Sequence, residues 1–226
     1  MRRPLTVDRL GRHPLGNFVI QTLAAAFGDL GEASAWLGAQ LGISGWVLPA
    51  TIEPLKFRIE TVAPTSDDAA ATGDPLDRLR LTFIPARPPV SATVVKAIDL
   101  AKLALLAPGS LFSRVLAASA IPDIAAALAA TPARVVWICN LEPEGDETAN
   151  DQLAALRRHG VRVDAALYDP TAALKLATEQ FADQGVELIP RRLCGATRGM
   201  HDRELLRAAL TELAGVAPTS TPDVPR

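Results

Sequence analysis

Cysteine is scarce in this sequence, and an excess of positive charge is missing. Cys139 and Cys194 are the two cysteines, and they have no CxxC spacing, so neither a zinc centre nor a disulfide framework is predicted and a reducing cytoplasm fits. The 23 Lys and Arg residues are balanced by 25 Asp and Glu residues, which argues against binding to nucleic acid or to an anionic membrane surface. We therefore expect a cytoplasmic protein whose partners are small molecules or other proteins.

Long hydrophobic runs are also lacking. The longest apolar stretch, residues 115–130, is broken by Pro122 and Asp123 and is shorter than the roughly 20 residues that span a bilayer. The basic start of the chain lacks the apolar core of a signal peptide. We expect no membrane association. Residues 1–216 are predicted to form a single α/β domain, followed by a disordered tail over 217–226.

Glycine-rich phosphate loops of the forms GxGxxG and GxxxxGK(S/T) do not occur in the sequence. Apolar runs instead alternate with helical patterns, which indicates a parallel sheet with right-handed crossovers. The predicted strands are 103–107, 134–140, 163–168 and 186–189, and the helices that alternate with them are 121–130, 150–159, 171–184 and 202–214. The fold class is thus predicted as α/β, with a Rossmann-like, mostly parallel sheet and flanking helices that lacks the usual first nucleotide-binding strands.

The first part of the chain adds elements outside this alternation. Helices are predicted over 17–27, 32–41 and 90–100, with a short strand over 46–49. Residues 56–62 and 78–83 alternate polar and apolar side chains with period two, which predicts an inserted two-stranded ribbon within about 55–85.

The turn after the 103–107 strand is the first candidate site. Its sequence, PGSLFS at residues 108–113, stops the strand and leads into a predicted helix. The first N–H groups of that helix, together with the Ser110 and Ser113 hydroxyls, would converge on one spot that suits a phosphate. Ordinary turn chemistry is the alternative interpretation.

Two further segments offer polar side chains. Asn140 and the acidic residues 142–147 follow the next strand, so they are expected at the same sheet edge, where the carboxylates bind a divalent cation such as Mg²⁺, orient a sugar hydroxyl, or are simply solvated. GRHPLGN at 11–17 offers His13 as a ligand contact and Asn17 as a helix N-cap, or is a plain helix entry. The three arginines at 191, 192 and 198 either bind a phosphate through their guanidinium groups or simply keep this surface soluble.

Five motifs in order resemble one family. GRHPLGN at 11–17 resembles its GHxxGN element, GWVLPATIEP at 45–54 its GxVLPAT-EPV segment, and PGSLFS at 108–113 its GPGSLYTS loop. Residues 140–148 are similar to its NL…PGET, and residues 201–202 to the start of its HDPxKLA. The sequence is identified as a member of the gluconeogenesis factor (YvcK-like) family, which is related to the 2-phospho-L-lactate transferase (CofD-like) enzymes of deazaflavin coenzyme synthesis.

This resemblance implies a nucleotide ligand: a UDP-sugar such as UDP-N-acetylglucosamine in the first branch, and a guanosine nucleotide with a deazaflavin in the second. The VLPAT and PGSLF forms resemble the first branch, whose members act in carbon metabolism, cell shape and wall synthesis without a settled catalytic activity. The resemblance implies nucleotide contacts at a small set of positions: Asn17, Ser110, Ser113, Asn140, His13, and Gly109, where the backbone approaches the ligand.

The sequence also departs from the family pattern. The family's GGGxG, ADDGGSSG and PPGD segments do not occur in it, and Ala107, Phe112 and Arg114 replace a Gly, a Tyr and a Ser. Each lost charge-assisted phosphate contact costs on the order of 1.5–3 kcal/mol, roughly a factor of 10 to 150 in affinity. We expect weak binding of a nucleotide sugar in a regulatory role.

Two other hypotheses remain open at this point. The first is a phospholactate-type transferase that uses bound metal and a guanosine nucleotide. The second is a structural subunit, because without the leading strands the sheet has an open edge that a second copy or a partner chain has to cover.

Overall fold

The computed structural model describes residues 15–62, 75–197 and 199–215. The chain divides into two compact units, one formed by Met1–Pro54 with Pro89–Val94 and the other by Leu55–Pro88 with Val95–Arg226. The predicted tail over 217–226 lies outside the described residues.

Two consecutive helices lie in the first unit. Helix α1 is Leu15–Phe27 and helix α2 is Leu30–Gln40, where the Asp29 side chain caps α2 by accepting a 2.7 Å hydrogen bond from the Glu32 amide. The prediction of Asn17 as an N-cap is wrong, because α1 already begins at Leu15 and Asn17 is an exposed residue of its first turn. The predicted strand over 46–49 does not form: this segment is irregular, and Trp46 is 84% exposed, so its apolar side chains have no sheet to pack on.

A four-stranded parallel sheet forms the centre of the second unit. Its strands are β3 Leu103–Leu106, β4 Arg134–Ile138, β5 Ala165–Tyr168 and β6 Glu187–Pro190, in the order β3-β4-β5-β6. Val135 and Val136 are fully buried, as are Ala165 and Leu167 in the next strand. Runs without polar alternation become strands that are covered on both faces, so the predicted α/β class with a parallel sheet is confirmed.

Helices connect these strands. The remaining helices are α3 Ala92–Asp99, the short α4 Ala117–Ser119, α5 Pro122–Ala130, α6 Ala149–Arg158, α7 Thr178–Asp183 and α8 Arg203–Leu213. Helix α6 starts with a capping box in which Thr148 and Asp151 bind each other's backbone N–H groups. Within the described residues no single helix is long and apolar enough to cross a membrane, although Leu111–Ser119 and Pro122–Ala130, bent by 70°, pass that test as a pair.

One predicted helix is much shorter than expected. The helix predicted over 171–184 is reduced to α7, and residues 171–177 are irregular. The amides of Ala173 and Leu174 both donate to the Leu141 carbonyl, at 2.9 and 3.1 Å, and the Thr171 amide donates to the Asp169 side chain. These competing acceptors take the N–H groups that a helix needs for its own ladder.

The predicted ribbon is present. Strand β1, Lys56–Thr61, pairs antiparallel with β2, Leu79–Ile84. The outer edge of β2 is held by the end of α6, because the Leu81 amide donates to His159 Nε2 at 3.0 Å while His159 Nδ1 lies 2.7 Å from the Ala155 carbonyl. The His159 ring also meets the Phe112 ring edge-on, with centroids 5.8 Å apart. A neutral imidazole, protonated on Nδ1, satisfies both hydrogen bonds.

This geometry predicts a pH dependence of stability. Burial lowers the pKa of His159, and the positive charges of Arg158 and Arg80 lower it further, whereas its hydrogen bond to the Ala155 carbonyl acts in the opposite direction. Below about pH 6.5 the unfolded chain takes up a proton that folded His159 resists. The free energy of unfolding is therefore expected to fall as the pH drops below that value.

Urea unfolding between pH 5 and 8 measures this effect, with His159→Gln as the test variant. Part of the acid-induced loss is expected to disappear in His159→Gln. Burial also lowers the pKa of His201, so His201→Gln is measured alongside it to separate the contribution of that histidine from the contribution of His159. If the free energy of unfolding falls equally with pH in the wild type and in His159→Gln, His159 is not a source of the acid-induced loss.

Candidate functional site

The turn after β3 is fixed by the loop after β4. The Gly109 amide donates to Asn140 Oδ1 at 2.8 Å, and Asn140 Nδ2 donates back to the Gly109 carbonyl at 3.1 Å. This pair forms because β3 and β4 are adjacent and parallel, so their carboxyl ends meet at one edge. Gly109 has φ +150, a backbone conformation that other residues rarely adopt.

Ser110 begins the helical turn that follows. Its carbonyl accepts from the amides of Arg114 and Val115, at 3.0 and 3.2 Å, and the second bond gives Leu111–Leu116 its π-helical form. Such turns are rare and often occur at functional sites. The Ser110 hydroxyl does not cap this turn but donates to Glu144 Oε2 at 3.2 Å. Ser113 lies one turn further on and is exposed.

Arg114 belongs to the same site, although the sequence comparison treated it only as the loss of a serine hydroxyl. Its side chain folds back over the turn, so that a Cβ added to Gly109 would lie 3.3 Å from Arg114 Cδ. A cationic side chain therefore lies beside the Ser110 turn. Its position four residues after Ser110, one helical turn away, is the sequence signal for this proximity.

The acidic loop after β4 uses one of its carboxylates to hold itself together. Glu147 accepts hydrogen bonds from the amides of Glu144 and Gly145, at 2.6 and 2.7 Å, and from the Gln152 side chain at 3.1 Å. Burial acts to raise the pKa of Glu147, but these hydrogen bonds outweigh it and lower the pKa. In the parts of the chain that the structure describes, no three His, Cys, Asp or Glu side chains are grouped as metal ligands.

Asp169, which the sequence analysis missed, organises the end of β5. This carboxylate is only 4% exposed and accepts from the amides of Leu193 and Cys194 and from both the amide and the hydroxyl of Thr171. Burial acts to raise the pKa of Asp169, but the hydrogen bonds dominate and hold the pKa well below its usual range. Its position directly after the third predicted strand was the available signal.

The loop after β6 returns to the same edge. His201 Nε2 lies 3.2 Å from the carbonyl of Cys139, and His201 pairs with Cys194 in an isolated β-bridge. Gly199 lies against Glu142 of the loop after β4, since a Cβ on Gly199 would meet Glu142 Oε2 at 2.7 Å. Burial raises the pKa of the Cys139 thiol, so this cysteine is protonated and unreactive.

Among the described residues, the structure does not group the other predicted site residues with the Ser110 turn. Asn17 lies in α1, in the other compact unit, and His13 is outside the described residues. Arg191, one of the three arginines proposed for phosphate, forms an ion pair with Glu212 of α8. The structure thus brings Gly109, Ser110 and Asn140 together, while nucleotide contact by any of the six residues stays a prediction.

The four-stranded parallel sheet with flanking helices is a Rossmann-like α/β fold, and the loops after its first two strands are hydrogen-bonded to each other at one edge. The family model described as 2-phospho-L-lactate transferase CofD matches residues 6–189. The chain belongs to this gluconeogenesis factor and CofD-like family.

Individual relatives agree with the family. A protein of Deinococcus radiodurans named "Putative gluconeogenesis factor" is 30% identical over 244 aligned residues, which cover 92% of this chain and 51% of the relative. A protein of Mycobacterium tuberculosis with the same name is 34% identical over 149 residues, which cover 62% of this chain and 44% of the relative. The chain thus spans about half the length of the curated relatives it matches.

Solved structures support the fold. The crystal structure of a UPF0052 family member from Bacillus halodurans superposes with a TM-score of 0.78 and covers 94% of this chain and 75% of that chain. Sequence identity is 21%, so this likeness concerns the fold alone.

The Asn140–Gly109 pair yields a prediction for stability. Asn140→Leu keeps the side-chain size but leaves the Gly109 N–H and carbonyl without partners, so the free energy of unfolding should fall by about 1–3 kcal/mol. Asn140→Asp keeps an acceptor for the N–H but places a carboxylate oxygen against the Gly109 carbonyl, so a loss is expected here too. Urea denaturation measures both variants, with Thr82→Ala on the exposed ribbon as the control. An Asn140→Leu variant as stable as the wild type would show that the pair is not stabilising.

Proposed function

We propose that this protein binds a nucleotide sugar of the UDP-sugar type at the edge formed by the carboxyl ends of β3 and β4. Its role would be regulatory, in carbon metabolism, cell shape and cell-wall synthesis, rather than catalytic. The reciprocal hydrogen bonds between Gly109 and Asn140 are the observation that carries the proposal, because they hold the Ser110 turn in one conformation before any ligand arrives. Preorganised polar groups bind without an ordering cost.

The chemistry of this turn suits a diphosphate. Ser110 supplies a hydroxyl, Arg114 supplies a cation beside the turn, and the first N–H groups of the following helical turn have no partners within it. Gly109 has no side chain to keep a phosphate away from the backbone. The proposal assigns the phosphates to this turn.

Glu144 sets a condition on binding. Its carboxylate accepts a hydrogen bond from the Ser110 hydroxyl. An anionic ligand at Ser110 would therefore lie close to the negative charge of Glu144. Binding therefore requires either that the Glu144 side chain turns away or that a divalent cation such as Mg²⁺ lies between the carboxylate and the phosphates. With one carboxylate as its protein ligand, that cation would complete its shell with phosphate oxygens and water, as Mg²⁺ commonly does.

Isothermal titration calorimetry with UDP-N-acetylglucosamine tests this function. Binding heat is expected for the wild type, and Ser110→Ala and Arg114→Gln are each expected to weaken binding roughly tenfold or more, since each removes one contact to a charged group. Thr82→Ala should bind like the wild type. The proposal fails if the wild type gives no heat at millimolar ligand, with and without Mg²⁺.

A transferase of the phospholactate type is the second candidate, because the family model that matches residues 6–189 carries that description. It predicts a thermal shift with GTP in the presence of Mg²⁺ and turnover of a guanosine nucleotide when a deazaflavin acceptor is supplied. The same titration with UDP-N-acetylglucosamine would then be silent. The candidate is dismissed if GTP with Mg²⁺ gives no thermal shift and if no phospholactyl group passes from a guanosine nucleotide that carries it to the deazaflavin acceptor.

A further inference from the structure

The two edges of the β1-β2 ribbon differ. On the β2 edge, Leu81 donates its amide to His159, and Arg158 forms an ion pair with Asp77 and donates to the Leu76 carbonyl at 3.1 Å. That edge is therefore covered by the end of α6. On the other edge, β1 pairs with β2 alone among the described residues, and all six β1 residues are exposed. An uncovered strand edge is a template for another strand.

The hydrogen-bond phase shows which backbone groups the free edge presents. The Val62 amide donates to the Arg78 carbonyl at 2.8 Å, and these two residues continue the β1-β2 register. Hydrogen-bonded pairs alternate with non-hydrogen-bonded pairs along an antiparallel ladder. The even-numbered residues of β1 therefore direct their backbone N–H and C=O groups toward β2, and the odd-numbered residues direct theirs outward. Leu81, opposite Ile59, agrees with this phase, since its N–H points away from β1 to His159.

Side chains along β1 alternate in character as well. Phe57 and Ile59 lie on one face and are 38% and 44% exposed. Lys56, Arg58 and Glu60 lie on the opposite face and carry charges of both signs. One face of β1 is therefore apolar, and the other carries both positive and negative charges. A two-stranded ribbon by itself is marginally stable, so pairing with a further strand would stabilise it.

We propose that β1 pairs antiparallel with β1 of a second copy of this chain, about a two-fold axis through Ile59. The result is a four-stranded antiparallel sheet in which the outward N–H and C=O groups of Phe57, Ile59 and Thr61 are satisfied. Ile59 lies opposite its own copy. Arg58 lies opposite Glu60 of the second copy, and Glu60 lies opposite Arg58 of the second copy.

Charge selects both the register and the occupant. The two neighbouring registers with the same hydrogen-bond phase centre on Arg58 and on Glu60, and each places that charged residue opposite its own copy, which is unfavourable. The Ile59-centred register creates two opposite-charge pairs and no like-charge pair. Complementarity of a segment with its own copy is what a two-fold symmetric interface requires, so a second copy fits this edge better than an unrelated strand.

Charge reversal tests the proposal. Sedimentation equilibrium of the whole chain, up to about 1 mM because the interface is small, should show a concentration-dependent dimer for the wild type. Arg58→Glu places Glu opposite Glu60 of the other copy, and Glu60→Arg places Arg opposite Arg58. Each variant alone should dimerise at least tenfold more weakly. An equimolar mixture of the two restores both opposite-charge pairs and should form a heterodimer.

Lys102→Glu, which makes the same charge change on an exposed residue outside the ribbon, should dimerise like the wild type. Circular dichroism of each variant checks folding, and recovery in the mixture itself shows that both variants are folded. The proposal is overturned if the wild type is monomeric throughout, if both single variants dimerise like the wild type, or if the mixture stays monomeric. These outcomes do not depend on nucleotide binding.

Discussion

Parallel pairing of β3 with β4 is the constraint on which the site depends. It brings the ends of two strands that are distant in sequence close enough for the Asn140 side chain to reach the Gly109 peptide. A carboxamide matches the N–H and C=O of a peptide group, donor to acceptor and acceptor to donor, so this contact specifies orientation as well as distance. The turn, the helical turn after it and the loop after β4 are then positioned as one body.

Carboxylates at this sheet edge serve two different purposes. Asp169 and Glu147 are consumed by backbone amides and hold the loops after β5 and β4 in place. Glu144 instead accepts a serine hydroxyl at the surface. Counting acidic residues in the loop after β4 therefore overstates its capacity for cations, because Glu147 already accepts hydrogen bonds from two amides and from Gln152. The surface of this edge then carries the Ser110 hydroxyl, the Arg114 cation, and the carboxylates of Glu144 and Asp146.

Several elements were predictable because their signals are local. Apolar runs predicted the parallel strands, because burial on both faces leaves no polar alternation. Alternation of polar and apolar residues with period two predicted the two strands of the ribbon. The proximity of Gly109 and Asn140 followed from strand order. Elements that depend on distant partners were missed: the 171–177 segment was predicted helical, but its amides bind Leu141 and Asp169.

The missed site residues have the same cause. Asp169 follows a strand with no motif around it. Two of its four donors, the amide and hydroxyl of Thr171, are local, but the amides of Leu193 and Cys194 come from a segment that only the fold brings near. Arg114 was considered only as the loss of the serine hydroxyl found in the family. Its actual position depends on the π-helical turn Leu111–Leu116, in which the Val115 amide donates to the Ser110 carbonyl. The Asn17 error is different, since it concerned where α1 begins, and helix ends vary by one or two residues.

His159 touches both the ribbon, through the Leu81 amide, and the helical turn of the candidate site, through the Phe112 ring. With both ring nitrogens engaged, this imidazole is locked in one tautomer, its proton on Nδ1 and its lone pair on Nε2. The ring is therefore a built-in spectroscopic reporter. Its two nitrogen resonances, read by NMR in the intact ¹⁵N-labelled protein, distinguish a docked ribbon from a released one without any added chromophore or spin probe.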